Sequence, residues 1–179
     1  MNAAGRLVVT LILLTLLLLS VAARAEIKTG DIPPDVLGET PKGEVIRISD
    51  HRGRVMVVSF WASWCSQCHR KFPSLDLLQQ HVDPGRLRVV MVNFKEHPRV
   101  YRDILRNNRK SPVTWTSDPD GVVSRAYDVR AIPRTFLIDK SGRVAMVQLG
   151  YSKSATLELF EAIDRVLAEP YPAATAVGD

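Results

Sequence analysis

Only two of the 179 residues are cysteine, and that scarcity removes several architectures at once. A small disulfide-stapled scaffold needs several bridges, whereas two thiols permit one. Histidine is nearly as rare. His51, His81 and His97 are scattered without ligand spacing, and two thiols with the adjacent His69 fall short of the donors a structural zinc site needs. Aromatic residues make up 7% of the chain. None interleaves with "RNNRK" at 106–110, the densest basic group, so the stacking platform of a nucleic-acid strand binder is missing. The net charge of +5 therefore describes a solvated basic surface with modest attraction to membranes, and no nucleic-acid partner is expected. No internal repeat is present. The length suits one domain with a sizeable core and is too short for two.

What the chain has in quantity is an apolar start. Arg6 supplies a short positive region, Leu7 to Ala22 is uncharged and apolar, and "ARA" at 23–25 has the small-x-small form of a cleavage site. Residues 1–25 are expected to be a signal peptide or, if retained, an N-terminal membrane anchor of nearly spanning length. Either outcome places the rest of the chain in the periplasm. A domain is expected over 26–168, and 169–179, with neither periodicity nor a helix start, as a disordered tail.

Within 26–168 the patterns alternate between strand and helix. Residues 26–43 are rich in Gly, Pro, Asp and Thr and read as an irregular lead-in, followed by an edge strand in "EVIRIS". "RVMVVSFWA" at 54–62 is a nearly continuous apolar run, as a strand buried on both faces would be. Beyond Cys65 the period changes: Phe72, Leu75, Leu78 and Val82 recur every three or four residues, with Lys71, Asp76, Gln79 and Gln80 between them. That predicts an amphipathic helix, interrupted by Pro73. A strand at 87–94 follows, then a helix with Val100, Ile104 and Leu105 inward, a short strand, a short helix and a hairpin over 134–150. The last helix carries Leu157, Phe160, Ile163 and Leu167 on one side. The order predicts a three-layer α/β/α sandwich around a mixed sheet.

Both cysteines fall in "WASWCSQCHR", 61–70. A staple across so short a loop gains little, so a dithiol that opens and closes is the better reading. With Cys65 between strand and helix, unpaired N–H groups and the helix dipole favour its thiolate. Cys65 is then expected to attack and Cys68, a turn inward, to resolve. C-x-x-C-H is also a haem-attachment pattern with His69 as axial ligand and Met91 or Met146 as its complement. Against it, a buried strand fixes the cysteines at a sheet edge with little room for a porphyrin, and Met91 sits in a strand-like run. Transient Cu(I) binding by the two thiols is chemically reasonable. A peroxidase would want a helper Thr and Arg near the nucleophile, which this segment does not supply.

"VVSFWASWCSQCHRKFPSL" resembles the active-site segment of the thioredoxin fold, and "VRAIPRTFLIDKSGRV" its second landmark. The strand–helix unit inserted between them is similar to the TlpA/ResA-like exported thiol-disulfide oxidoreductases, which include the cytochrome c maturation reductants. The resemblance spans roughly 30 to 168. It implies that Trp64 shapes the partner surface, that Cys65 and Cys68 are the attacking and resolving thiols, and that Pro133 is a cis-proline facing them. Ile132 would then offer its backbone to an extended substrate segment, and Ser66 and Gln67 would tune potential and partner choice. Thioredoxins proper carry a buried acid six residues before the first cysteine, where this chain has Ser59. TlpA/ResA-like proteins carry a glutamate in an N-x-x-E pattern instead, which Glu96 matches as an acid or base for the exchange. No cofactor is implied. The expected substrates are protein thiols or disulfides, with a membrane electron-transfer partner and a monomeric chain. A dithiol oxidant, a Cu(I) chaperone and a non-catalytic interaction domain stand as alternatives.

Overall fold

The computed structural model describes residues 26–171. Residues 1–25 and 172–179 lie outside this range, so neither the expected leader nor most of the expected tail is described. Among the described residues no helix is long and apolar enough to cross a membrane.

Seven strands form one sheet: β1 (Val36–Glu39), β2 (Val45–Arg47), β3 (Val55–Trp61), β4 (Leu87–Phe94), β5 (Thr114–Asp118), β6 (Arg134–Ile138) and β7 (Val144–Leu149). Their spatial order is β2-β1-β5-β4-β3-β6-β7. Strands β3, β4 and β5 run parallel, and β6, β7, β1 and β2 pair antiparallel to their neighbours. Four helices cover the sheet: α1 (Ser66–His81), α2 (Pro98–Asn107), α3 (Val122–Ala126) and α4 (Lys153–Ala168). All seven residues of β3 are buried, the consequence of a central strand with helices on both sides. Val55, Val57 and Trp61 pack on one face with Phe72, Leu75, Tyr101, Leu159 and Ile163. Met56, Val58 and Phe60 pack on the other with Leu37, Tyr127 and Phe136. Trp61 meets Phe72 and Trp115 edge-on, with ring centroids 5.2 Å away in both cases, a favoured aromatic geometry.

Four readings change. The lead-in is not wholly irregular: Val36–Glu39 is β1, pairing with β5. A short strand containing Gly38 gives no periodicity to detect. Gly38 is nevertheless required there, because its φ is +94° and a Cβ would sit 2.7 Å from the Ser117 carbonyl oxygen. On α2 it is Tyr101, not Val100, that is buried, with Ile104 and Leu105 partly so. On α4 the inward face is Leu159, Ala162, Ile163 and Val166, while Leu157 points outward. On α1, Lys71 and Gln79 belong to the buried face, although their polarity assigns them to solvent. Gln79 is held there by the first residues of β4: it donates to the Leu87 carbonyl at 3.2 Å and accepts from Val89 N at 2.7 Å.

Candidate active site

Strand β3 ends at Trp61 and α1 begins at Ser66, so Cys65 occupies the N-cap in an extended conformation. Cap positions favour a side chain that can accept from the first turn. Cys65 Sγ does this, taking the Cys68 N–H at 3.1 Å. The sulfur thus sits at the positive end of a helix with a backbone donor aimed at it, and both features stabilise a thiolate. Cys65 and Cys68 are joined in a disulfide, with Cα atoms 5.2 Å apart. Cys65 retains 7% exposure and Cys68 1%, so a partner's sulfur can approach only the first.

The turn before Cys65 is held from two sides through Ser63. Glu96 accepts the Ser63 N–H at 2.9 Å and the Ser63 hydroxyl, and Asn93 Nδ2 donates to the same carboxylate at 2.6 Å. From the opposite side, His69 Nε2 donates to the Ser63 carbonyl at 2.8 Å, with its ring against Phe72 at 5.0 Å. His69 is therefore a strap on the active-site turn. Met91 is a core residue 2% exposed.

Glu96 is 8% exposed and lies in the loop after β4. Three donors converge on its carboxylate, which anchors the turn before Cys65. Replacing it by glutamine removes the charge and turns one oxygen into a donor facing donors. Glu96→Gln is expected to destabilise the oxidised chain by about 1–2 kcal/mol, the scale for a charge-assisted buried bond. Urea unfolding at pH 7 measures this, and an unchanged midpoint would remove the anchor role.

The residues that the resemblance assigns to a partner surface form a rim near the disulfide. The Ile132–Pro133 bond is cis, and Pro133 immediately precedes β6, which pairs with β3. Trp64 projects with 67% of its surface exposed, and Ser66 and Gln67 are exposed beside it. Two residues absent from the sequence reading join this rim. Gly150 donates its N–H to the Pro133 carbonyl at 2.8 Å and lies under Gln67, whose Oε1 is 3.7 Å from where a Cβ would be. Leu149, paired across from Arg134, is exposed. Neither had a sequence signal, since the hairpin alone sets their position.

Comparison with known proteins agrees with this geometry. The Redoxin family profile matches residues 28–163. The thiol-disulfide oxidoreductase ResA of Bacillus subtilis is 31% identical over 130 residues, 72% of each chain. Among solved structures, a Chlorobium tepidum protein assigned as a thiol:disulfide interchange protein DsbE superimposes with a TM-score of 0.69 at 31% identity, covering 79% of this chain and 99% of that one. StoA of Bacillus subtilis does so with a TM-score of 0.59 at 26% identity, covering 74% and 98%. A C-x-x-C disulfide capping the first helix of a thioredoxin-like sheet, in a chain matched over most of its length, identifies a member of the Redoxin family and a thiol-disulfide oxidoreductase similar to ResA.

Proposed function

We propose that this chain is an exported reductant, delivering electrons from the Cys65–Cys68 dithiol to disulfides of other periplasmic proteins, apocytochrome c or copper-site dithiols among them. Cys65 thiolate attacks a substrate sulfur, and the other substrate sulfur leaves as a thiolate that takes up a proton. Cys68 then displaces the second substrate sulfur from Cys65 and closes the disulfide. Trp64, Ser66, Gln67, Ile132 and Pro133 receive the substrate segment. Glu96 serves the exchange by fixing Ser63 and hence the approach to Cys65.

The observation that carries the direction is the charge beside the nucleophile. Among the described residues, Cys65 Sγ accepts one hydrogen bond, from a neutral backbone amide. Of the two side chains tied to its turn, His69 and Glu96, Glu96 is a carboxylate, whose charge opposes a thiolate. The helix N-terminus and one amide stabilise this thiolate less than a cation beside Cys65 would, and such a dithiol gives up electrons more readily than an oxidant whose reduced form is strongly stabilised. Such a reductant must be recharged in an oxidising compartment, so a membrane electron-transfer protein is the second partner. The leader 1–25 supplies export, cleaved or as an anchor, and the domain acts as a monomer.

The test is the reduction potential of the pair, poised against dithiothreitol and read by alkylation. A value nearer thioredoxin's, about −270 mV, than DsbA's, about −120 mV, is expected. A value at the oxidising end would reverse the direction.

A further inference from the structure

Beneath the disulfide lies an ionisable group that the exchange has not used. Lys71 is 1% exposed. It sits one helical turn after Cys68 on α1, a spacing that makes the two side chains neighbours. Its Nζ donates to Thr135 Oγ1 at 2.7 Å and to Gln148 Oε1 at 2.8 Å. Thr135 Oγ1 meets Ser59 Oγ at 3.0 Å, and Gln148 Nε2 donates to the Ala155 carbonyl at 2.6 Å. All these partners are neutral: β3 presents Ser59, β6 Thr135, β7 Gln148, and α4 a backbone carbonyl. The other titratable groups buried on this side of the sheet are Cys65, Cys68, Glu96 from the loop after β4, bonded to Ser63 and Asn93, and Tyr101 from α2, which burial keeps protonated.

A buried ammonium without a counter-charge is costly. Burial alone lowers the Lys71 amine from 10.5 to about 8, so both protonation states are accessible near neutral pH, as a proton-exchange group needs. Two of the three N–H donors of the ammonium are engaged, which leaves one for a thiolate. Ser59 stands where thioredoxins proper carry their buried acid. Here the helix brings a base to that layer.

We propose that Lys71 is the proton-exchange partner of Cys68, taking its thiol proton as the mixed disulfide is resolved and returning it when the Cys65–Cys68 bond is opened. In resolution, neutral Lys71 accepts the Cys68 proton and becomes the ammonium. The Cys68 thiolate bonds to Cys65 Sγ, the Cys65–substrate bond breaks, and the substrate sulfur leaves as a thiolate protonated by solvent. Overall the chain's dithiol is oxidised by two electrons and the substrate disulfide reduced. The reverse steps apply to opening, so the role holds for either net direction. It rests on Cys65 being the attacking thiol and Cys68 the resolving one.

Glutathione disulfide is the probe. Reduced chain is mixed with it, quenched in acid at intervals, and the glutathionylated intermediate is quantified by mass from pH 6 to 10. In Lys71→Met the intermediate is expected to persist at least about tenfold longer at pH 7, and the inflection near pH 8 in its decay to vanish. Its rate of formation by Cys65 should move by less than about threefold. Lys71→Gln should behave as Lys71→Met, and serves if the methionine variant fails to fold. Lys71→Arg, which cannot release a proton, should not restore resolution. Unchanged lifetime and pH profile in Lys71→Met or Lys71→Gln overturns the proposal, and so does rescue by arginine, which would indicate a fixed counter-charge. Cys68→Ser checks the foundation separately: if it accumulates no intermediate, the order of the cysteines is wrong, whatever the lysine variants do.

Discussion

Cys65→Ser is expected to lower insulin reduction by at least about a thousandfold, because a serine hydroxyl is not ionised at neutral pH and cannot attack a disulfide. Cys68→Ser should fail differently. Its Cys65 still sits at the N-cap with the same amide donor, so attack proceeds and the product stalls as a mixed disulfide. The asymmetry follows from exposure, 7% for Cys65 against 1% for Cys68: only the first can meet a protein partner. Non-reducing electrophoresis of each variant after incubation with oxidised insulin separates the cases. A trapped adduct with Cys65→Ser and none with Cys68→Ser would reverse the roles. Full activity in both would remove dithiol exchange as the function, leaving metal binding or passive docking to account for the paired cysteines.

The elements that build this site were readable because each has a local cause. A run of strand length in which Ser59 alone interrupts Val55 to Trp61 reads as a doubly covered strand, and the 3.6 period after Cys65 as a helix, so the N-cap position of Cys65 followed without coordinates. The N-x-x-E spacing pointed to Glu96, but not to its contacts. Those depend on the loop after β4 folding back to Ser63, a long-range event that no window of sequence encodes. Lys71 marks the limit most clearly. By polarity it belongs on the solvent face of α1, although its spacing, three after Cys68 and four before Leu75, puts it on the inward one. It is inside because Thr135 and Gln148, from strands far along the chain, supply polar partners at that depth. Local consistency fails there, as it tends to at functional sites. Leu157 and Val100 were misplaced for a plainer reason: a helix with apolar residues on more than one side has two candidate faces, and the sheet decides between them.

The buried amine has a thermodynamic signature independent of exchange. Lys71 binds its proton with a pKa of about 8 in the folded chain and 10.5 in the unfolded one. Below pH 8 both states hold the proton, and the fold carries the full cost of the buried charge, about 3 kcal/mol by the size of the shift. Between pH 8 and 10.5 the unfolded state binds more protons than the folded state, so stability rises with pH. About 2 kcal/mol of the penalty should be regained between pH 7 and 9.5. Above pH 10 the sign reverses, because burial holds Tyr101 and Tyr127 protonated while their unfolded counterparts ionise. Urea unfolding of the oxidised chain, in which no thiol titrates, measures the curve. Lys71→Met removes the lysine while leaving Gln148 Oε1 short of a donor, a loss that does not vary with pH. The readout is therefore the slope of the wild-type-minus-variant difference, not its offset. A difference flat from pH 7 to 9.5 would mean that the folded amine titrates as an exposed lysine does, and would remove the basis for its exchanging a proton near neutral pH.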